Sequence, residues 1–285
     1  MTLARSSFLR TSLLLVTFVG TWITAVGGCD PGDTNTDPRP VCPPGSPADC
    51  VGPAGGGTNP SGGGSSSGGG QGGSSATSDV SGKVGVLIDS AFSQVSAYSG
   101  ASTVFTTSSK GAPLQAPYGE STTSFSFVDV KAGSTWFFVQ DDTVGATGVF
   151  STHSVVNVPV SGSVILPVVD RNVVSTVAAM LPTPVVVDGS KGVLILKVQR
   201  NKQPLAGVAL TTSLPGAEVA YDNGIGLYSN QSTFTGPAGV ILALNVDGPA
   251  AAQLMDLTLT DVNQQSYFVQ VRVQAGAATF AGFEL

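Results

Sequence analysis

Val269-Gln270-Val271-Arg272-Val273-Gln274 sets a valine at every second position and a polar side chain between each pair. Successive side chains of a strand point to opposite faces, so a period of two predicts a strand with one face in a core and the other in water. The same period recurs along the chain. Val84, Val86 and Ile88 alternate with Gly85, Leu87 and Asp89; Phe125 and Phe127 alternate with Ser124 and Ser126; Val240, Leu242, Leu244 and Val246 form another face. Trp136-Phe137-Phe138-Val139 and Val164-Ile165-Leu166 are continuous apolar runs, the pattern of central strands. Between them lie turn-forming clusters: Lys110-Gly111-Ala112-Pro113, Lys131-Ala132-Gly133-Ser134, Asp188-Gly189-Ser190-Lys191-Gly192 and Asp222-Asn223-Gly224. Many short strands at this spacing predict an all-β fold built of sandwiches.

One stretch competes. Val174, Val177, Ala178 and Leu181 fit helical spacing, with Asp170 or Asn172 as cap. Its β-branched content argues against a helix, and Pro182-Thr183-Pro184 marks a boundary. The expected organisation is therefore two tandem sandwiches, residues 82–181 and 182–285, each of ordinary sandwich size.

Composition narrows the chemistry. Of 285 residues only 30 are charged, 12 Lys and Arg against 18 Asp and Glu, and there are one His and three Cys. That excludes a centre built from several histidines or a four-cysteine zinc site. The net charge of −6, without a basic block, argues against nucleic-acid binding.

The first 28 residues read as an export signal: Arg5 and Arg10 form a positive start, and an apolar run from Leu13 ends in small residues. An uncleaved anchor is the lesser reading, because Gly20, Thr21, Thr24 and Gly27-Gly28 dilute the run. Val26-Gly27-Gly28-Cys29 resembles the bacterial lipobox, which implies a palmitate-type acylated Cys29 and a lipoprotein held to the cell-envelope membrane. A half-cystine at Cys29 is the alternative; Cys42 and Cys50, separated by a short Pro-rich stretch, are the nearer candidates for a disulfide. Without Arg5 and Arg10, the remaining chain has 10 basic against 18 acidic residues, a balance of −8. Membrane attachment would then rest on acyl chains rather than on charge.

Residues 29–81 form a Pro/Gly/Ser-rich stretch without apolar periodicity, expected to be a disordered tether. About 50 residues of such chain reach roughly 35–42 Å. Gly64-Ser65-Ser66-Ser67-Gly68 and Gly68 to Gly73 match a hydrolase elbow and a dinucleotide loop by spacing alone. Each motif needs a strand before it and a helix after it, which the flanks do not supply.

The second half carries a family likeness. Leu194-Ile195-Leu196-Lys197-Val198, then Gln203-Pro204-Leu205-Ala206-Gly207-Val208-Ala209-Leu210, then Thr235-Gly236-Pro237-Ala238-Gly239-Val240 resemble a bacterial Ig-like or carboxypeptidase-regulatory-like (prealbumin-like) sandwich. In that family the middle stretch makes a hairpin and the T-x-x-x-G step precedes the next strand. Lys202 stands where the family often has Gly. Phe125-Ser126-Phe127-Val128-Asp129-Val130-Lys131-Ala132-Gly133 resembles the same family more weakly. The resemblance implies structural or adhesive roles.

His153, within Phe150-Ser151-Thr152-His153-Ser154, is the one residue that could anchor a Ser/His/Asp hydrolase, although a loop or strand-end histidine is the commoner case. Asp141-Asp142 could ligate Ca²⁺, but no D-x-D-x-D-G loop surrounds the pair. Trp136, Tyr98, Tyr118, Tyr221, Tyr228 and Tyr267 could form a sugar-stacking face. The expectation is a non-enzymatic structural or adhesion-type envelope module without cofactor or metal, with an envelope protein or polysaccharide as partner. A carbohydrate-binding module and a His153 hydrolase are the alternatives.

Overall fold

The computed structural model describes residues 77–143, 148–160, 162–224 and 226–285. In chain order the first half supplies β1 (Thr77–Leu87), β2 (Val95–Ala97), β3 (Ser102–Thr107), β4 (Pro113–Tyr118), β5 (Phe125–Lys131), β6 (Gly133–Asp141), β7 (Val149–Val158) and β8 (Val164–Asp170). One helix, α1 (Arg171–Ala179), leads into β9 (Gly192–Arg200), β10 (Gln203–Pro204), β11 (Ala209–Leu210), β12 (Glu218–Asp222), β13 (Tyr228–Ser229), β14 (Val240–Val246), β15 (Gln253–Thr260), β16 (Ser266–Val273) and β17 (Ala277–Glu284). The fold is all-β, as the alternation predicts, and the named runs fall on β1, β5, β6, β8, β14 and β16.

In the first half, β1 pairs with β2, β5 and β8 to make one layer, while β7, β6, β3 and β4 make the other. Val84, Phe125, Phe127, Phe137, Val139 and Leu166 fill the space between. In the second half, the layer β13-β12-β14-β9-β17 packs on a three-stranded sheet, β11-β15-β16. The apolar run of β9 has no wet face. Leu194, Leu196 and Val198 point into the core against β15 and β16, whereas Val193 and Ile195 enter a second core. A strand covered on both faces reads as a continuous apolar run for this reason.

That second core is shared by the two halves. Leu87, Phe92, Phe150 and Val169 of the first half meet Ile195, Leu242, Leu244 and Ala278 of the second, with Val174, Val177 and Ala178 of α1 among them. The sheet is continuous too: β17 runs parallel to both β9 and β7, Thr279 standing between Leu194 and His153. The last strand thus joins the layer of the first half to that of the second.

Two expectations need correction. The tether was expected to run to residue 81, but β1 begins at Thr77, pairs with β5, and buries Val80 completely. A single valine among small polar residues gives no local period; pairing with β5 orders it. The β-branched stretch after β8 is helical. Asp170 caps it, its carboxylate accepting from Asn172 N at 2.7 Å, and Val174 and Val177 are buried. The capping bond and the core contacts outweigh a propensity deficit of a few tenths of a kcal/mol per residue.

The stretches that carry the family likeness have defined local geometry. Asn201 and Lys202 turn β9 into β10 with φ of 53° and 62°, so the turn keeps the left-handed conformation at Lys202 without glycine. Thr235 accepts from Val208 N and donates to Leu205 O, each at 2.9 Å. Gly239 has φ +64°, and a Cβ there would sit 2.5 Å from Val198 O. Asp222, buried at the end of β12, accepts from Gly236 N (3.0 Å), Ala238 N (2.7 Å) and Val240 N (2.8 Å). These bonds fasten the step before β14.

Candidate functional site: the seam around His153

His153 lies in the middle of β7, where a loop or strand end was the expectation, and is 1% exposed. Phe138 of β6 and Thr279 of β17 stand directly across from it. Its ring stacks on Phe138, with centroids 4.2 Å apart and planes at 20°. Its Nε2 lies 2.8 Å from Gln274 Oε1. The amide of Gln274 is oriented by its own donor, which bonds Ala250 O at 3.1 Å, so Oε1 faces the imidazole and Nε2–H of His153 donates. The remaining Nδ1 is an unprotonated acceptor without a hydrogen-bond partner among the described residues. Burial pushes the pKa of His153 down to about 4, the nearby Arg272 guanidinium adds to this, and the Gln274 bond opposes it. The ring is neutral at pH 7.

The neighbours of His153 are equally committed. Thr152 Oγ1 donates to Phe150 O at 2.9 Å and accepts from Val169 N at 3.2 Å. Ser151 Oγ accepts from Asp141 N at 3.0 Å. Ser154 Oγ is buried without a partner among the described residues and lines a cavity of about 120 Å³ with Leu87, Val95, Ile165, Pro167 and Phe280. Ligand pockets commonly run from about 300 to 1,000 Å³. The Ser/His/Asp geometry of a hydrolase needs a carboxylate on one imidazole nitrogen and a serine on the other; here an amide holds one nitrogen and, among the described residues, nothing bonds the other.

Asp141 and Asp142 lie at the end of β6. Asp141 Oδ1 accepts from Tyr98 OH at 2.7 Å and from Thr143 N at 3.2 Å; Asp142 accepts from Thr103 Oγ1 at 2.5 Å and Gln140 Nε2 at 2.8 Å. Burial first, with Asp141 also contributing, pushes the Tyr98 phenol up to about 12. Among the described residues no three His, Cys, Asp or Glu side chains converge as metal ligands.

The aromatics do not assemble a face. Tyr98, Tyr118, Tyr221 and Tyr228 are core residues, and the half-buried Trp136 and Tyr267 pack against the core of the second half. Tyr267 OH bonds the Arg200 guanidinium at 2.5 Å, and Arg200 also pairs with Asp261 at 3.1 Å. Burial raises the phenol pKa of Tyr221 and Tyr228. The seam itself was not legible as a site, because Gln274 and Thr279 come from more than a hundred residues away. Cys29, Cys42 and Cys50 lie outside the described residues.

Fold and side chains together define an all-β sandwich protein whose two halves share a sheet. No family model matches the chain, and no curated protein matches it. Solved structures similar to it include a streptococcal ancillary pilin, 9% identical over 73% of this chain and 68% of that one, with a TM-score of 0.20. SporoSAG from Toxoplasma gondii is 13% identical over 68% of this chain and 83% of that one, with a TM-score of 0.13.

Proposed function

We propose that the chain is a bacterial envelope lipoprotein, held to the membrane by acyl chains on Cys29 with its Pro/Gly/Ser-rich segment as tether, whose sandwich acts as a non-enzymatic structural or adhesion-type module. The observation that carries the non-enzymatic part of this reading is the placement of His153. The chain's sole imidazole is stacked, hydrogen-bonded and buried in β7, the first-half strand that pairs with the joining strand β17, a structural use of the residue. Burial of four of the six candidate sugar-stacking aromatics favours a protein or polysaccharide partner read by loops and edges over a stacking platform.

Two measurements test it. Cys29→Ser should move the protein out of the membrane fraction; retention at the unsubstituted level refutes the lipid anchor. Affinity capture from the native envelope should recover a specific protein or glycan. Turnover of an ester or peptide that His153→Ala abolishes, in a variant that keeps its fold, refutes the non-enzymatic reading.

A further inference from the structure

Strand β16 is one of the two outer strands of the three-stranded sheet, the other being the two-residue β11. β15 occupies one of its edges from Ser266 to Val273 without a register shift, and among the described residues no strand pairs with the other. The hydrogen bonds decide which groups face outward. Thr211 N donates to Thr258 O, so Thr258 turns its backbone to β11 and its neighbours Leu257 and Leu259 turn theirs to β16. The residues opposite these, Val269 and Tyr267, bond to β15. Alternation along the strand leaves the N–H and C=O of Ser266, Phe268 and Gln270 on the open edge. All three residues are exposed, and Phe268 is 82% exposed. Beyond Gln270 the edge closes, because the Arg272 carbonyl accepts from the Thr279 hydroxyl.

The two ends of the large sheet's strand order differ, and the seven-residue edge strand β5 is bulged against β1 and crossed by a bridge from Ser108 to Val130. β4 carries Pro113 and Pro117, and β13 is two residues long. Prolines and short strands are the usual means of preventing strand addition. β16 has eight residues, no proline, no lysine and no bulge.

We propose that the open edge of β16 is a self-association site, at which two copies pair β16 with β16 antiparallel about a two-fold axis through Phe268. This register sets Phe268 opposite Phe268 of the second copy and Ser266 opposite its Gln270. The three pairs exchange about six backbone hydrogen bonds, all from groups without a strand partner inside the protomer. Tyr267 meets Val269 on the core side, and the paired segment Ser266 to Gln270 carries no charged side chain, so no like charges face each other. Antiparallel pairing of a strand with itself is an isologous contact that closes at the dimer. The central aromatic pair adds a cross-strand contact of the favourable kind. The inference stands on the edge geometry and does not depend on the lipid anchor.

In the full chain in its native envelope, Phe268→Cys under mild oxidation should give a disulfide-linked species of twice the protomer mass. Val186→Cys, 89% exposed elsewhere on the fold, should not; the native cysteines are common to both variants. In detergent-solubilised full chain, Phe268→Lys and Gln270→Pro should each halve the sedimenting mass of the protein. Neither substitution removes a ladder hydrogen bond within a protomer, and an unchanged circular dichroism spectrum checks the fold. Equal cross-linking at both positions, cross-linking of Phe268→Cys to a different protein, a monomeric unsubstituted chain, or a dimer that survives both substitutions would each overturn the proposal.

Discussion

His153 Nε2 and Gln274 Oε1 meet at 2.8 Å although 121 positions separate the two residues in the chain. The bond fixes the imidazole tautomer and ties the end of the second half's three-stranded sheet to β7, the first-half strand at the seam. It leaves Nδ1 in a buried setting where a proton is unwelcome, which makes the fold sensitive to acid.

Acid should weaken the protein between pH 6.5 and about 4. The unfolded chain takes up a proton at the ordinary histidine pKa, while the folded one resists until about pH 4. Stability from this group is therefore full above pH 6.5 and is lost as the pH falls, by about 3 kcal/mol in total. Thermal unfolding of His153→Gln, which has no proton to gain, should show a flatter pH profile over this window. Identical slopes for the two proteins would falsify the assignment.

Asp222→Ala should destabilise the fold by about 3 kcal/mol, because three backbone amides lose their common acceptor at a buried turn. Urea unfolding measures it. A loss below about 1 kcal/mol means that water replaces the carboxylate.

Two glycines with similar φ separate strain from crowding. Gly111→Ala meets nothing within 4 Å at φ +81° and should cost about 1 kcal/mol from backbone strain alone. Gly239→Ala, at φ +64°, also drives a methyl onto Val198 O and should cost more than about 3 kcal/mol. Equal midpoint shifts for the pair would contradict the close approach of β14's lead-in to β9.

Lys202→Gly should stabilise the protein by about 0.5 kcal/mol, since a left-handed lysine costs more than glycine's extra chain entropy. A lower Tm for the variant would mean that the lysine side chain contributes more than its backbone strain costs.

Asp170→Ala removes the cap of α1 and should cost about 1 kcal/mol. Because Val174 and Val177 sit in the core shared by both halves, the loss should appear in one unfolding transition rather than in the second half alone. Separate transitions would show that the shared core does not couple the halves.

The amino-acid sequence alone marked several of the strands and, in β5 and β16, which face is wet; the helix α1 and the second buried face of β14 were not legible in it. Val269, Val271 and Val273 alternate with Gln270, Arg272 and Gln274 because β16 has a core on one side and solvent on the other, and that asymmetry is written locally. The run Leu194-Ile195-Leu196 likewise announces a strand covered on both faces. Tertiary structure alone decided which strands are neighbours. Thr279 reaches His153, and Val80 reaches Phe127, through pairings whose partners lie far along the chain. The polar string Ser151-Thr152-His153-Ser154 carries no apolar period, yet its last three residues are buried, because β6 and β17 pair along either side of it. Periodicity records the environment of each face; it carries no information about the strand that lies alongside.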